Sequence, residues 1–390
     1  MLVKENISRI SHLQCPVCKR PFPFDQINTY AQCENCQRNP LLTFYDLTGL
    51  SKDDIDFRER SMWRYAKFLP VLEKKNIVSL GEGWTPILNL SRQAELLDVA
   101  HLLMKDESPN PTGSFKARGL SAAVSKAKEL GIKEAIVPTA GNAGGAMAAY
   151  CARAGMKATV VMPSHTPKSF QMECEFFGAE LILVDGLISD CAKRVAELNN
   201  ERQYFDFSTM KEPYRLEGKK TMGYEIAEQM NWKLPDVILY PTGGGTGLIG
   251  MWKAFLEMIE MGWIQNKLPR LIAVQSDQCR PVVETFLEGK ISSPLRQTIA
   301  NGLAVPTPFA QAMIQRVLCE TNGNAISVSE EEIVRGVQEM AITEGMLIAP
   351  EGGALLPALK KLLQEEIVKR DETILLLNTG SGYKYFENLG

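Results

Sequence analysis

Short apolar segments alternate with longer segments of helical periodicity along most of the chain. Apolar runs of four or five residues are typical of buried strands, and they occur at 102–105, 135–138, 158–162, 181–184, 204–207, 237–241, 271–275 and 374–378. Between them, apolar residues recur at helical spacing in 114–130, 144–154, 167–177, 188–198, 222–230, 246–261 and 330–344. The alternation predicts an α/β protein whose parallel strands are covered by helices on both faces.

The number of strand and helix pairs also predicts how the chain is divided. The 390 residues hold too many such pairs for one hydrophobic core. We therefore expect two doubly wound α/β domains, with ligands bound at the carboxyl ends of the strands. We assign residues 51–117 and 221–390 to a larger domain, 118–220 to a smaller one and 1–50 to a separate N-terminal segment.

Four of the nine cysteines are spaced like the ligands of a metal site. Cys15 and Cys18 form one CxxC pair, and Cys33 and Cys36 form a second. This spacing lets four thiolates surround a zinc ion, whereas the alternative, a redox pair, does not account for two matched pairs. Because four thiolates leave no open coordination position, we expect a structural, zinc-ribbon-like segment. The other five cysteines stand singly, and we interpret them as small buried apolar residues.

The charge balance excludes some classes of partner. The chain has 43 basic and 46 acidic residues, a net charge of -3, which gives no field that attracts nucleic acid or an anionic membrane. No apolar run is long enough to span a bilayer, and the first residues do not have the pattern of a secretion signal. We therefore expect a cytoplasmic protein that acts on a small molecule.

One lysine is placed for chemistry. The segment 110–119, NPTGSFKARG, puts Lys116 behind a tight turn, in which Gly113 permits the turn and Ser114 is suited to cap the following helix. Desolvation and the positive end of a helix both disfavour an ammonium ion, so a lysine in this setting can serve as a nucleophile. The alternative is a surface lysine on an ordinary capped helix.

A glycine-rich loop follows the predicted strand at 237–241. Its sequence, PTGGGTG at 241–247, comes directly before a helix, and such a loop directs backbone N–H groups and a helix dipole at a phosphate. Residues 245–250 also fit GxGxxG, with Asp277 near the end of the next strand, so a dinucleotide site is an alternative. A glycine-rich turn that binds no ligand is the second alternative. A Walker-type loop is excluded because no GK[ST] follows.

Two further strand ends carry polar groups. The segment 139–145, TAGNAGG, precedes an alanine-rich helix, where Asn142 could donate its amide to a ring hydroxyl while neighbouring N–H groups hold a carboxylate. The segment 377–382, LNTGSG, places the hydroxyl of Thr379 at the end of the last strand. A nucleophilic lysine, a phosphate loop, an asparagine and a hydroxyl are together what pyridoxal phosphate requires.

These segments together resemble the fold type II pyridoxal-phosphate enzymes, and specifically their threonine synthase branch. NPTGSFKARG is similar to the family's lysine segment, TAGNAGG to its asparagine loop, GGGTG to its phosphate loop and NTGSG to the segment at the pyridine nitrogen. The likeness runs from about residue 81 to the C-terminus. A CxxC ribbon ahead of the catalytic body is also seen in threonine synthase-like chains.

The resemblance implies an active site between the two domains and a role for each residue. Lys116 would hold the cofactor as a Schiff base and, once displaced by the substrate, act as general base. Asn142 would contact the ring hydroxyl, Thr379 would contact the ring nitrogen, and residues 298–302 would form a further loop over the cofactor. The family's usual assembly implies a homodimer. The phosphate would be held by Gly243, Gly244, Gly245, Thr246 and Gly247.

The chain departs from the threonine synthase pattern near the substrate. Ala117 stands where SFKDRG has an acid, and alanines replace hydroxyl residues in the asparagine loop. A phosphorylated substrate needs its own cationic and hydroxyl donors. Lys105 and Arg153 are candidates that we interpret as surface charges. The residues expected to contact the substrate are Ser114, Arg118, Thr139, Ala140, Gly141 and Ala143.

The resemblance implies a lyase that converts O-phosphohomoserine and water to threonine and phosphate. SFKARG is closer than SFKDRG to the dehydratases, so a serine or threonine dehydratase, or another β-elimination or β-replacement enzyme, is the alternative. A nicotinamide-dependent oxidoreductase and a non-catalytic protein that binds pyridoxal phosphate are two further alternatives.

Overall fold

The structure, a computed structural model, describes residues 6–26, 36, 39–202, 204–292 and 296–389. The chain forms two compact units. The first unit consists of Met1–Trp84, Lys116–Thr221 and Glu260–Trp263, and the second of Thr85–Phe115, Met222–Ile259 and Ile264–Gly390. Residues 51–84 thus group with the first unit, whereas the sequence-based division, which stays a prediction, joined 51–117 to 221–390.

Each of the eight predicted strands is found in the structure, and the described residues contain others that the sequence did not predict. The last strand but one was missed because polar residues interrupt its apolar pattern. The strands are β1 (Ile10–Gln14), β2 (Pro21–Phe22), β3 (Leu42–Tyr45), β4 (Ile87–Asn89), β5 (His101–Asp106), β6 (Glu134–Pro138), β7 (Lys157–Pro163), β8 (Glu180–Val184), β9 (Phe205–Asp206), β10 (Val237–Pro241), β11 (Arg270–Ser276), β12 (Asn324–Val328) and β13 (Thr373–Asn378).

The predicted helices are found as well. The helix predicted at 222–230 begins eight residues earlier, at Tyr214, because several of its first residues are charged and the apolar pattern does not show that they are buried. The helices are α1 (Ser91–Leu97), α2 (Lys116–Glu129), α3 (Asn142–Ala154), α4 (Lys168–Phe176), α5 (Ile188–Arg202), α6 (Tyr214–Gln229), α7 (Thr246–Glu260), α8 (Pro281–Glu288), α9 (Gln311–Glu320), α10 (Glu330–Glu344), α11 (Pro350–Gly353), α12 (Leu355–Gln364) and α13 (Phe386–Leu389).

The first unit holds two small sheets. Strands β8, β7, β6 and β9 form a parallel sheet in that order, and β2, β1 and β3 form an antiparallel sheet. Helix α5 packs on the parallel sheet through a core that includes Ile136, Val161 and Val195. Cys191 lies in the same core and is fully buried, which confirms its interpretation as a buried apolar residue. Cys151, Cys174 and Cys279 are buried too, whereas Cys319 is exposed, so its interpretation as a buried residue was wrong.

The second unit is built on a sheet of six strands in the order β12, β11, β10, β13, β5 and β4. Its strands are parallel except for β4, which pairs antiparallel with β5 at one edge. Helix α10 begins with the capping box that the sequence predicts, formed by Ser329 and Glu332. The parallel sheets of both units confirm the predicted α/β class.

None of the helices in the described part of the chain has both the length and the apolar character that a membrane crossing requires.

Candidate functional site

Three candidate segments lie side by side at the carboxyl edge of the second unit's sheet. The phosphate loop follows β10, the Thr379 segment follows β13 and the segment leading to Lys116 follows β5, and these strands are neighbours in the sheet. Asn378, the last residue of β13, donates its amide to Asp106 Oδ1 at 2.8 Å, which ties the ends of β13 and β5 together. The topology therefore brings together segments that are far apart in sequence, such as 110–115 and 241–247.

The loop at 241–247 is shaped for an anion. A Cβ on Gly243 would lie 2.1 Å from the carbonyl oxygen of Gly302, and one on Gly247 would lie 2.1 Å from Tyr240 Oη, so neither position admits a side chain. Gly244 and Gly245 complete the turn, and α7 begins at Thr246. Because a helix start has unpaired N–H groups and a positive dipole end, the loop fits a phosphate.

Thr379 offers a buried hydroxyl directly after β13. The residue is 6% exposed. Its carbonyl oxygen accepts the N–H of Phe115 at 3.0 Å, and Ser114 forms an antiparallel bridge with Gly380. The hydroxyl is therefore held in place by backbone bonds and remains able to bind a ring nitrogen.

The lysine segment begins its helix later than the sequence predicted. Helix α2 starts at Lys116 rather than at residue 114, because Ser114 is extended (φ -160°) and its backbone pairs with Gly380. Thr112, just before, has a φ of 60°, which is strained for a β-branched residue. Lys116 therefore occupies the first position of a helix, directly after a strained turn.

The asparagine loop in the first unit has the predicted form. Strand β6 ends at Pro138 and α3 begins at Asn142. Between them Thr139, Ala140 and Gly141 form the turn, in which the Thr139 hydroxyl accepts the N–H of Gly141 at 3.2 Å. Ala143 is buried in the first turn of α3. The start of this helix thus provides backbone N–H groups beside the Asn142 side chain.

A buried group of charges lies beside Lys116 in the first unit. Arg215 and Lys219, four residues apart on α6 and each 1% exposed, are termed the cationic pair. The guanidinium of Arg215 donates to the carbonyl of Phe207, whereas its Nε is buried and has no hydrogen-bond partner among the described residues. A buried guanidinium N–H without a partner is a donor that an anion could use.

The pKa values of this group follow from burial. Burial, then the charges of Arg215 and Lys116, lower the pKa of Lys219 well below its usual value. Burial also raises the pKa of Glu212 to about 7, although the charge of Arg215 and two backbone N–H groups oppose it. The charges of Glu212 and Asp206 act on Arg215, and that of Glu212 acts on Lys219 as well. The sequence analysis missed both cations because their spacing alone does not distinguish buried from exposed charges.

Three other predicted cations have different roles. Lys105 is fully buried and donates to Glu225 Oε2 at 2.8 Å, so its interpretation as a surface charge was wrong: the strand it lies on is covered on both faces. Arg118 is fully buried and donates to Thr221 Oγ1 at 3.0 Å. Arg153 is exposed, as expected. Asp277, considered for a dinucleotide, accepts the hydroxyl of Ser327.

Three of the four predicted metal ligands converge. The sulfur atoms of Cys15, Cys18 and Cys36 lie within 4.8 Å of one another, and the fourth, Cys33, lies outside the described residues. Three converging thiols are a donor set that suits zinc. The sheet that carries them contacts α6, since Tyr45 Oη donates to Glu217 Oε2 at 2.8 Å.

Comparison with known proteins gives a consistent family. The family described as "Pyridoxal-phosphate dependent enzyme" matches residues 78–380. Threonine synthase of Methanocaldococcus jannaschii is 33% identical over 379 residues, which cover 95% of this chain and 92% of that protein. Threonine synthase of Methanosarcina acetivorans is 31% identical over 376 residues, with 95% and 91% covered.

The fold is shared with solved structures as well. Maize serine racemase superposes with a TM-score of 0.66 at 21% identity, covering 76% of this chain and 88% of that one. The family match and the threonine synthase relatives support a pyridoxal-phosphate-dependent lyase. The chain belongs to the pyridoxal-phosphate-dependent enzyme family, in its fold type II branch.

Proposed function

We propose that this chain is a threonine synthase, which converts O-phosphohomoserine and water to threonine and phosphate. The observation that carries the proposal is the cationic pair beside Lys116, with the unpartnered Nε of Arg215. A cofactor phosphate is accounted for by the loop at 243–247, so a second anion site implies a substrate with its own phosphate. The relatives from Methanocaldococcus jannaschii and Methanosarcina acetivorans are both named threonine synthase, which agrees with this activity.

The cofactor residues that we propose are those predicted from the sequence. Lys116 holds the cofactor covalently, Asn142 contacts its ring hydroxyl, Thr379 binds its ring nitrogen and the N–H groups of 243–247 hold its phosphate. When bound, pyridoxal phosphate supplies an electron sink for negative charge at the α-carbon and its neighbours.

The other steps fall to side chains of this chain. The displaced amine of Lys116 takes up and returns protons at the substrate's α-carbon and at the carbons next to it. Arg215 and Lys219 bind the substrate's phosphate and stabilise it as it leaves, because both are desolvated and the bound phosphate favours the ammonium form of Lys219. Ser114, Arg118 and the turn at 139–143 remain proposed substrate contacts, with the N–H groups at the start of α3 suited to the substrate carboxylate.

A dehydratase is the second candidate, because Ala143 at the start of α3 is buried and offers no hydroxyl. The two functions give different products. We expect purified protein supplied with pyridoxal phosphate and O-phosphohomoserine to release threonine and phosphate in equal amounts. Ammonia and a keto acid formed from serine or threonine, without phosphate release from O-phosphohomoserine, would contradict the proposal.

We also propose that the three converging thiols and Cys33 bind a structural zinc ion. The antiparallel sheet supports this role, because its small size leaves little hydrophobic core of its own. A homodimer and a cytoplasmic location stay predictions from the sequence and its resemblance.

A further inference from the structure

A cluster of polar side chains lies against the phosphate loop in the second unit, and the sequence analysis assigned most of it no role. Its members are the loop at 298–302, Glu351 at the start of α11 and Tyr385. The cluster touches the phosphate loop directly, because the carbonyl of Gly302 lies 2.1 Å from where a Cβ on Gly243 would be. The backbone of the two loops is therefore in van der Waals contact.

Two carboxylates hold the loop at 298–302 in place. At its start, Glu330 accepts the hydroxyl of Thr298 at 2.8 Å and the N–H of Ile299 at 2.7 Å. At its end, Oε1 of Glu351 accepts the N–H of Gly302 at 2.6 Å and the hydroxyl of Tyr385 at 3.0 Å. With both ends bonded, the loop has little freedom to shift away from the phosphate loop.

Two polar atoms of this cluster lack partners. The amide nitrogen of Asn301 and Oε2 of Glu351 are both buried, and neither has a hydrogen-bond partner within the part of the chain that the structure describes. Glu351 is only 5% exposed, so its free oxygen is shielded from bulk solvent. Buried polar atoms without partners are costly and are found where a ligand supplies the missing bond.

We propose that Asn301 is a further cofactor-binding residue, whose amide donates to the cofactor phosphate, and that Glu351 is the residue that positions it. Asn301 directly precedes the glycine that packs on Gly243, and an amide nitrogen is a donor of the kind that a phosphate oxygen accepts. Glu351 acts through the loop: it fixes Gly302 and hence the neighbouring Asn301. The inference rests on the proposed cofactor site and extends it by one loop.

The test is the dissociation constant of pyridoxal phosphate, measured by titrating the cofactor-free protein and following its intrinsic fluorescence. We expect Asn301→Ala to raise this constant about ten- to a hundredfold, the effect of one hydrogen bond to a charged group. Asn301→Asp, of nearly the same shape, should raise it further because a carboxylate repels phosphate. An asparagine that only supported the loop would not make the dissociation constant higher for Asn301→Asp than for Asn301→Ala.

The role of Glu351 is tested in the same titration. Glu351→Ala should weaken binding about as much as Asn301→Ala, and the double variant should bind no worse than either, since both remove one interaction. Glu351→Gln, which keeps an acceptor for Gly302 and Tyr385, should restore binding to within about threefold of the unchanged protein. Additive losses in the double variant would contradict the positioning role.

A matched control is available in the same unit. Tyr385→Phe removes one donor to Glu351 and should weaken cofactor binding, whereas Tyr224→Phe removes an equivalent buried bond, from Tyr224 Oη to Glu257 Oε2 at 2.7 Å, and should not. If Asn301→Ala and Asn301→Asp both bind pyridoxal phosphate as tightly as the unchanged protein does, this inference is overturned while the proposed cofactor site still stands. If the unchanged protein does not bind it, the proposed cofactor site fails first and the inference with it.

Discussion

Arg215 and Lys219 are almost completely removed from water, and this determines what they can do. Burial and the neighbouring charges of Arg215 and Lys116 disfavour an ammonium ion, which is why the pKa of Lys219 lies well below its usual value. A phosphate bound beside the pair would favour the ammonium form and supply the missing partner for Arg215 Nε. The residues are therefore better explained as a binding site than as a contribution to stability.

Glu212 gives a prediction for the pH dependence of stability. Burial raises its pKa to about 7, so between pH 4.5 and 7 the folded protein keeps a proton that the unfolded chain has lost. Raising the pH through this window therefore favours unfolding. We expect the unchanged protein to lose about 3 kcal/mol of unfolding free energy relative to Glu212→Gln as the pH rises from 4.5 to 7. A difference that stays constant with pH would contradict the raised pKa.

Single residues differ in how far the sequence reveals them. Lys116 and the glycines of the phosphate loop could be predicted because neighbours in sequence, a turn and a helix start, create their setting. Arg215 and Asn301 could not be assigned their proposed roles in this way, because their significance comes from burial and from partners that are missing after folding. For the proposed role of α6 the sequence offers only one signal, which is two basic residues at helical spacing next to an acid.

At the scale of elements, the order of strands decides which loops meet. The sequence predicts that β5, β10 and β13 end in functional loops, because polar and glycine residues follow each apolar run. It does not predict that these strands are neighbours, since the pairing of Leu239 with Leu376 or of Asp106 with Asn378 leaves no local pattern. Strand adjacency therefore had to come from the structure.

Contact between two loops gives the element-scale prediction. Gly243→Ala would place a Cβ 2.1 Å from the carbonyl of Gly302, so the loop at 298–302 must move away. We expect the dissociation constant of pyridoxal phosphate to rise at least about tenfold. The displaced loop would carry Asn301 away from the cofactor phosphate, and the proposed hydrogen bond between them would be lost.

Gly262→Ala is the control for this variant. Its φ of +70° makes alanine strained, yet no atom lies within 4 Å of the added Cβ. It should therefore lower stability by about 1 kcal/mol and leave the dissociation constant unchanged. Equal cofactor binding by Gly243→Ala and the unchanged protein would show that the two loops are not in contact.

At the scale of the whole chain, the fold class followed from the alternation of strands and helices, and 390 residues pointed to two cores. The position of residues 51–84 could not be predicted in the same way. Their polar character resembles a linker, but buried residues such as Met62 and Trp63 pack against Ala122 in the first unit. Short segments without helical or strand periodicity leave no pattern from which their partners can be inferred.

The N-terminal sheet gives the prediction for metal removal. Tyr45 on β3 bonds Glu217 on α6, and the amino group of Lys220 lies 4.0 Å from the Tyr45 ring centre, so loss of zinc should loosen the helix that carries the cationic pair. We expect one zinc per chain, and a chelator or Cys18→Ser should lower the thermal midpoint and raise the KM for O-phosphohomoserine. Cys319→Ser, at an exposed cysteine of the second unit, is the control and should change neither. Metal analysis that finds no zinc in freshly purified protein would refute the site.

The account depends most on the claim that the cationic pair binds the phosphate of the substrate. The direct measurement is the KM for O-phosphohomoserine, from the rate of phosphate release, in Arg215→Met and Lys219→Met, with the exposed Arg153→Met as control. We predict a KM about ten- to a hundredfold higher in the first two variants, with cofactor binding retained and the control unchanged. A KM within twofold of that of the unchanged protein in both variants would contradict the account.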